Sequence, residues 1–296
     1  MKKVYIYRYI GEFFTVKPVF ASGIKSCCFL CIFICAEVTS YAGGGLYLFP
    51  TGAKAEGMGK SGLLNTDIWS AYNNQAALAG INKAGAGIHY ENRFAIREFG
   101  TSAGVFVLPA LTGTFGFDVA HIGIEDYGET RIGAGYGKKL ADRLSLGVQF
   151  NYHLLSFATG YPDFYTFTGE IGLIAEPLNN VFIGAHVFNP TFAKFNSQYE
   201  DPVQVIFELA AGYKTDKLVV VTEFEKEKSD NVITRFGIEY SMFKNMSFRS
   251  GVSLQPVEIC FGIGWNVKKL QLDFAFSHHE LLGYSPQLSL SFSFGK

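Results

Sequence analysis

The sequence predicts an all-β fold, a transmembrane antiparallel β-barrel of about 14 strands, and three observations support this prediction. Apolar residues are dispersed at a period of two, although 48% of the residues are hydrophobic and only 17% are charged. Charges within the predicted strands fall on the face opposite the apolar residues. The predicted connections also alternate between long and short, as they do between the outer loops and periplasmic turns of membrane barrels.

Charge and cysteine content argue against several other classes of protein. The formal net charge is -1, so the chain lacks the basic surface that binds nucleic acid. No apolar run of about 18 residues or more follows position 45, which argues against a helical membrane protein. Four of the five cysteines lie within 27–35, and we expect the fifth, Cys260, to be an inert strand residue. We therefore predict no cofactor, no internal disulfide and no cysteine metal cluster.

Residues 1–42 have the pattern of a secretory signal peptide. Basic residues are scattered over 1–26, an apolar run follows at Cys27–Cys35, and Ser40-Tyr41-Ala42 fits a small-x-small cleavage site. We predict cleavage after Ala42 and export to the outer membrane of a Gram-negative cell. The alternative is an N-terminal membrane anchor, although the apolar run is shorter than a membrane span.

Residues 43–82 are glycine-rich and then helix-like. Gly57–Gly62 matches the G-x-G-x-x-G pattern, and Gly59-Lys60-Ser61 resembles the end of a phosphate-binding loop. Lys54 stands where that loop requires glycine, and no βαβ unit follows, so a nucleotide site is disfavoured. Thr66-Asp67 can cap a short helix that continues to Ala79.

The same segment carries a recognisable pattern of small, acidic and aromatic residues. Its members are Gly52-Ala53, Ala55, Gly57-Met58-Gly59, Asp67, Trp69, Asn74, Ala76, Leu78 and Ala79. In this pattern Thr51–Ile81 resembles the N-terminal segment of outer-membrane barrels related to the long-chain fatty-acid transporter, and most of all their PorV/PorQ family. Lys60 replaces a glycine of the family pattern, and Gln75 replaces a proline.

The resemblance implies a domain organisation for the exported chain. Residues 43–82 would form a hatch with a short helix inside a fourteen-stranded barrel formed by 83–296. The matching positions that we expect to seat this plug are Asp67, Trp69, Asn74 and Ala76.

Fourteen alternating segments follow the hatch, an even number as closed bacterial barrels have. They are 84–91, 101–109, 112–121, 129–137, 143–155, 164–175, 180–188, 203–213, 217–225, 232–242, 246–255, 257–267, 269–277 and 286–294. In the last, Leu288, Leu290, Phe292 and Phe294 share one face. This aromatic end resembles the sorting signal of outer-membrane barrels, although Gly295-Lys296 follows it.

Several strands place a charge on the inward face. Among these residues, Glu223, Arg235, Arg249, Glu258 and Asp273 are expected to form a ladder of paired charges across the lumen. The alternative is that these inward charges line a polar conduction path through the barrel. A soluble sandwich would show the same alternation of charge and apolarity, but it has no reason to sort its connections by length.

Catalysis is not predicted. His278-His279 lies beside Glu280 in a predicted outer loop. These residue types can bind a metal, but the favoured interpretation is two solvated histidines in a loop. No serine and histidine are placed as a catalytic pair, so an outer-membrane hydrolase is the least favoured function. We assign no catalytic, cofactor-binding or metal residue.

The resemblance leaves two functions open. As in the transporter relatives, the barrel would pass or capture hydrophobic small molecules, with Phe99, Phe192 and Phe195 making the first contact. Alternatively, as in PorV/PorQ relatives, it would be an accessory or cargo shuttle of type IX protein secretion. The expected partners are outer-membrane lipid and either hydrophobic small molecules or secretion-system proteins, with no nucleic acid.

Overall fold

The computed structural model describes residues 51–124, 126–196, 201–227 and 231–294. The predicted signal peptide, residues 43–50 of the predicted hatch and the final Gly295-Lys296 lie outside these ranges. In chain order the strands are β1 (Gly85–Asn92), β2 (Gly100–Ala110), β3 (Gly113–Ile124), β4 (Tyr127–Ala141), β5 (Leu144–Phe157), β6 (Phe164–Leu178), β7 (Val181–Phe188), β8 (Lys194–Asn196), β9 (Asp201–Pro202), β10 (Ile206–Lys214), β11 (Leu218–Glu227), β12 (Val232–Phe243), β13 (Met246–Leu254), β14 (Glu258–Val267), β15 (Leu270–His279) and β16 (Gly283–Ser293).

Fourteen of these strands form one closed antiparallel barrel, which confirms the predicted fold class. Each barrel strand pairs with its neighbours in sequence, and β1 closes the ring by pairing with β16, with Gly85 opposite Ser293. The short strands β8 and β9 form a separate ribbon within the connection from β7 to β10. Closure removes the exposed edges of the sheet and therefore excludes the soluble sandwich.

The alternation predicted for the strands is confirmed by burial. In β14, Ile259, Phe261 and Ile263 are exposed on the outer surface, whereas the alternate residues Glu258 and Cys260 are buried. The same exposed apolar face recurs around the ring. A closed barrel with an apolar exterior and a polar interior has the surface of a transmembrane barrel.

The connections differ in length at the two ends, but less than the sequence indicates. At one end the strands are joined by the tight turns 111–112, 142–143, 179–180, 215–217, 244–245 and 268–269, which we call the short-turn end. At the other end, the predicted connection between the segments 269–277 and 286–294 is mostly strand, because the backbone ladder continues from β15 into β16 with Ser277 opposite Ser285. The hydrogen-bonded pairing therefore extends beyond the segments that alternation in the sequence identifies.

Residues 51–82 lie inside the barrel. They contain helix α1 (Ala53–Gly57), helix α2 (Ser70–Asn73) and a 3₁₀ helix, Gln75–Gly80. Helix α1 packs against β14 and β15, and the 3₁₀ helix packs against β4 and β5, so the segment crosses the bore from one wall to another. None of the helices in the described ranges has the length and apolarity needed to span a membrane.

The single helix predicted from Thr66 to Ala79 is wrong, because Asn74 interrupts it. Asn74 has an extended backbone, with φ -163° and ψ 109°, and its side chain accepts a hydrogen bond from the Ala76 N–H at 3.1 Å. This local bond starts the 3₁₀ helix at Gln75. Asparagine competes in this way with continuous helix formation.

Candidate functional site

The bore makes room for the internal segment through wall glycines whose missing side chains form two grooves. In the first groove, Gly137 and Gly147 face the main chain of Gln75, and Gly172 faces the side chain of Asn74. A Cβ atom at any of these three positions would overlap the segment. Glycine is required here because two backbones approach closely.

The second groove lies on the other side of the bore and receives the start of the segment. Gly237 and Gly251 face Met58 and Gly59, and a Cβ atom at Gly262 would lie 3.1 Å from the Gly57 Cα atom. Gly59 itself has a φ of +70°, a left-handed conformation that favours glycine. The segment is therefore matched to the wall by shape at both ends.

Substitution of Gly251 by valine should displace the segment and raise the ion conductance of the barrel in planar bilayers. The added side chain would occupy the space of Met58 and Gly59 and cannot be accommodated by a rotamer change, because the overlap is with backbone atoms. Gly169→Val is the matched control, since a Cβ atom there meets only the Gln149 oxygen at 3.7 Å. Equal conductance in the two variants would contradict the role of the groove.

The four predicted plug-seating residues have different contacts. Asp67 Oδ1 accepts a hydrogen bond from the Trp69 N–H at 2.9 Å, and Asn74 Nδ2 donates to the Leu63 carbonyl at 2.9 Å. These two side chains shape the segment itself, although Asn74 also fills the first groove. Trp69 reaches the wall, where its ring lies 5.6 Å from that of His89. Ala76 is buried in the first groove, where a Cβ atom at Gly147 would overlap the Ala76 nitrogen.

Two short polar contacts between segment and wall come from Lys60 and Gln75, the residues that depart from the family pattern. Lys60 Nζ lies 2.7 Å from Glu258 Oε2, and Gln75 Nε2 donates to Glu170 Oε2 at 2.8 Å. Both replacements add a hydrogen-bond donor where the pattern has glycine or proline. The sequence did contain a signal for these two contacts. The segment gains donor side chains at Lys60 and Gln75, and the predicted strands around it carry inward carboxylates that can accept from them.

The charge of Lys60 is maintained by the carboxylates around it. Burial alone would lower the pKa of this amine, but the negative charges of Glu56 and Glu258 raise it above its usual value. Burial raises the pKa of the Glu56 carboxyl, and Glu91 adds to that effect. Burial likewise raises the pKa of Asp67, against the opposing charge of Lys54. Lys60 thus supplies positive charge to an acidic region of the bore.

The five residues of the predicted charge ladder, together with Lys60 of the segment, form three ion pairs. Arg235 Nη1 lies 2.9 Å from Glu223 Oε1 on the adjacent strand, and Arg249 Nη1 lies 2.6 Å from Asp273 Oδ1. Glu258 pairs with Lys60 of the segment and with neither arginine. The bore therefore contains paired charges, but not as one ladder along neighbouring strands.

A longer network of buried charges runs from β3 to β10 and meets the first of these pairs, because Glu208 Oε1 lies 3.9 Å from Arg235 Nη1. Arg131 lies 3.4 Å from Asp118 and 2.9 Å from Glu170. His186 then bridges Glu170 and Glu208, at 3.1 and 2.7 Å. Their inward direction is evident from the sequence, but their connection depends on the pairing register of the strands. The network leaves the centre of the bore polar and its charges compensated.

A cleft between the segment and the wall reaches the short-turn end. Its volume is about 180 Å³. Apolar side chains from both the segment and the wall line it, including Met58, Leu64, Ala77, Ile174, Phe182 and Val219. The basic residues Lys139, Arg143 and Lys214 stand at its mouth. The cleft offers an apolar surface inside an otherwise polar bore.

The fold is similar to that of bacterial toluene transporters. The P. putida toluene transporter TodX has a TM-score of 0.66 at 12% identity, with 84% of this chain and 100% of that chain covered. The Ralstonia pickettii toluene transporter TbuX has a TM-score of 0.60 at 12% identity, covering 84% and 99%. A Pseudomonas aeruginosa FadL homologue has a TM-score of 0.58 at 12% identity, covering 82% and 97%. The sequence matches no protein-family model and no curated protein.

These similarities establish the fold, and none of the three structures is named as an enzyme. The histidine pair that the sequence offered as a metal site lies at the end of β15 rather than in a loop, and it makes its contacts within that hairpin. His279 Nδ1 accepts from the Leu281 and Leu282 N–H groups at 3.1 and 3.2 Å, and His278 lies against Tyr284. Across the described ranges, no three histidine, cysteine or carboxylate side chains are grouped as metal ligands.

The three phenylalanines expected to contact ligand first are not equivalent. Phe99 and Phe192 are exposed at the end with the long connections. Phe195 instead packs against the buried cluster of Phe188, Val203 and Ile206. Only the first two therefore present an aromatic surface to solvent.

Proposed function

We propose that this protein is an outer-membrane transporter that passes small hydrophobic molecules. The proposal rests on the cleft, because it is the apolar route that lies beside the segment and opens at the short-turn end. Its volume of about 180 Å³ is close to the roughly 150 Å³ of an apolar cavity that holds benzene. The toluene transporters that share the fold support a substrate of this size.

In this proposal residues 51–82 are the plug that substrates must pass. Asp67 and Asn74 keep the plug folded, while Trp69 and Ala76 seat it against the wall. The wall glycines and the donors Lys60 and Gln75 hold it in place. Outer-membrane localisation and export through a cleaved signal peptide belong to the same proposal.

Substitution of Ile174 by tryptophan should reduce uptake of radiolabelled toluene severalfold in cells that express the protein. Ile174 lines the cleft from β6, so a larger ring at this position would fill the route. Leu173→Trp is the matched control, because alternation along β6 directs that side chain towards lipid. Equal uptake in the two variants, at equal barrel levels, would contradict passage through the cleft.

A second candidate is an accessory role in type IX protein secretion, with membership of the PorV/PorQ family. The motif in Thr51–Ile81 supports it, and the exposed Phe99 and Phe192 offer a surface for a protein cargo. Normal toluene uptake by a Phe99→Ser/Phe192→Ser variant that no longer binds secretion-system proteins would favour this role. Genes for secretion components beside this one would also favour it, whereas lipid-metabolic genes would favour transport.

A further inference from the structure

The short-turn end is rich in exposed basic residues. Within the described ranges these are Lys83, Lys138, Lys139, Arg143, Lys214, Lys217, Lys244, Lys268 and Lys269. The acidic residues at the same end are Asp142, Glu176 and Asp216. At the other end, exposed Arg97, Lys194 and Lys226 are interspersed with Glu98, Asp126, Asp163 and Glu280. The positive charge of the barrel is therefore concentrated at one rim.

Large apolar side chains are exposed beside these basic residues. Leu111 is 88% exposed in the turn between β2 and β3, and Phe243 is 57% exposed directly before Lys244. Leu140, next to Lys139, is 56% exposed. In water this rim would carry an unfavourable apolar surface. At a membrane interface the apolar groups enter the hydrocarbon edge while lysine stems extend to the headgroups.

We propose that this rim binds the headgroups of anionic phospholipids in the adjacent leaflet. The residues placed to do so are Lys138, on the outward face of β4, and Lys217, Lys244 and Lys268, on the turns. Basic residues close to an anionic membrane surface are attracted to it individually, and the attraction adds up over a cluster. This surface is independent of the cargo that the barrel carries.

The apolar side chains of the rim favour a lipid leaflet, rather than a soluble acidic protein, as its binding partner. A soluble partner would have to cover Leu111, Leu140 and Phe243 as well as neutralise the lysines. A lipid leaflet does both without a specific shape, because its acyl chains and headgroups are stacked in the same order as the side chains of the rim.

The protein contains its own reporter for this contact. It has two tryptophans, and Trp265 is 48% exposed on the outer face of β14 whereas Trp69 is 3% exposed inside the bore. Trp265 pairs with Met246, two residues after Lys244, and precedes Lys268 by three residues. A quencher attached to a lipid chain therefore reaches Trp265 beside these two lysines.

The test measures quenching of tryptophan fluorescence in bilayers of phosphatidylcholine that contain brominated phosphatidylglycerol or brominated phosphatidylcholine. We expect brominated phosphatidylglycerol to reach half-maximal quenching at a mole fraction several-fold lower, and high salt to reduce the difference. Lys244→Gln/Lys268→Gln should make the two lipids equivalent. Lys138→Gln, on β4 and across the ring from β14, is the control and should keep the preference.

Trp265→Phe should abolish the lipid-dependent quenching and so verifies the reporter. Equal quenching by the two lipids in the unsubstituted protein would overturn the proposal and assign the rim to water or to a soluble acidic partner. An unchanged preference in Lys244→Gln/Lys268→Gln would overturn it as well. Toluene uptake by the same variant should be normal, so failure of this proposal is distinct from failure of the transport function.

Discussion

Deletion of Gly52–Ala79 should open the bore and produce the largest change in permeability that we expect for this protein. The segment crosses from the groove at Gly137, Gly147 and Gly172 to the groove at Gly237, Gly251 and Gly262. Without it these grooves and the inward carboxylates would be hydrated. Cells that express the variant should become sensitive to bulky antibiotics, and the purified barrel should show a large, steady conductance in planar bilayers.

The barrel itself should survive this deletion, because β1 pairs with β16 without help from the segment. A mobility shift on boiling would verify that the variant is a closed barrel. The control is the full-length protein at the same level in the membrane. Unchanged permeability at normal barrel levels would show that residues 51–82 do not plug the bore.

The number and direction of the strands were predictable because a membrane barrel repeats one simple pattern. Each strand must present apolar residues to lipid and polar residues to the bore, so the inward direction of Glu223 or Asp273 follows from alternation alone. The lengths of the connections were predicted less well than the strands. Backbone pairing can continue beyond the membrane, and the sequence does not show where it stops.

The pairing of charges was not predictable, because it depends on register and on where glycine leaves space. Glu223 and Arg235 lie directly opposite each other on adjacent strands, as a ladder requires. Arg249 reaches Asp273 across the intervening strand β14, over Gly264, where a Cβ atom would lie 2.5 Å from the guanidinium. Sequence alternation identifies each charge but gives no sign of this bridge.

For the internal segment too, the sequence pattern was recognisable but the individual side-chain contacts were not. Gly57 and Asn74 of the family pattern lie in the two grooves of the wall. The contacts of Lys60 with Glu258 and of Gln75 with Glu170 needed the three-dimensional positions of both partners. Motif resemblance describes what a family shares, whereas these contacts belong to this chain.

Substitution of Arg131 by methionine should destabilise the barrel by about 3–5 kcal/mol. Arg131 is buried between Asp118 and Glu170, and its guanidinium lies 4.0 Å from the centre of the Tyr72 ring. Methionine fills much of the space but leaves Asp118 without its counter-charge and Glu170 with His186 alone inside the bore. The expected result is a lower temperature for the boiling-dependent mobility shift and a lower midpoint in urea.

Arg143→Met provides the matched control, because Arg143 is exposed at a turn and exposed charges contribute only about 0–1 kcal/mol. The triple variant Arg131→Met/Asp118→Asn/Glu170→Gln should recover part of the lost stability, since it removes the uncompensated charges along with the arginine. Recovery would show that charge balance, rather than packing against Tyr72, is what Arg131 supplies. Equal stability of Arg131→Met and Arg143→Met would mean that water already compensates these carboxylates, and the bore would then be a hydrated path rather than a closed network.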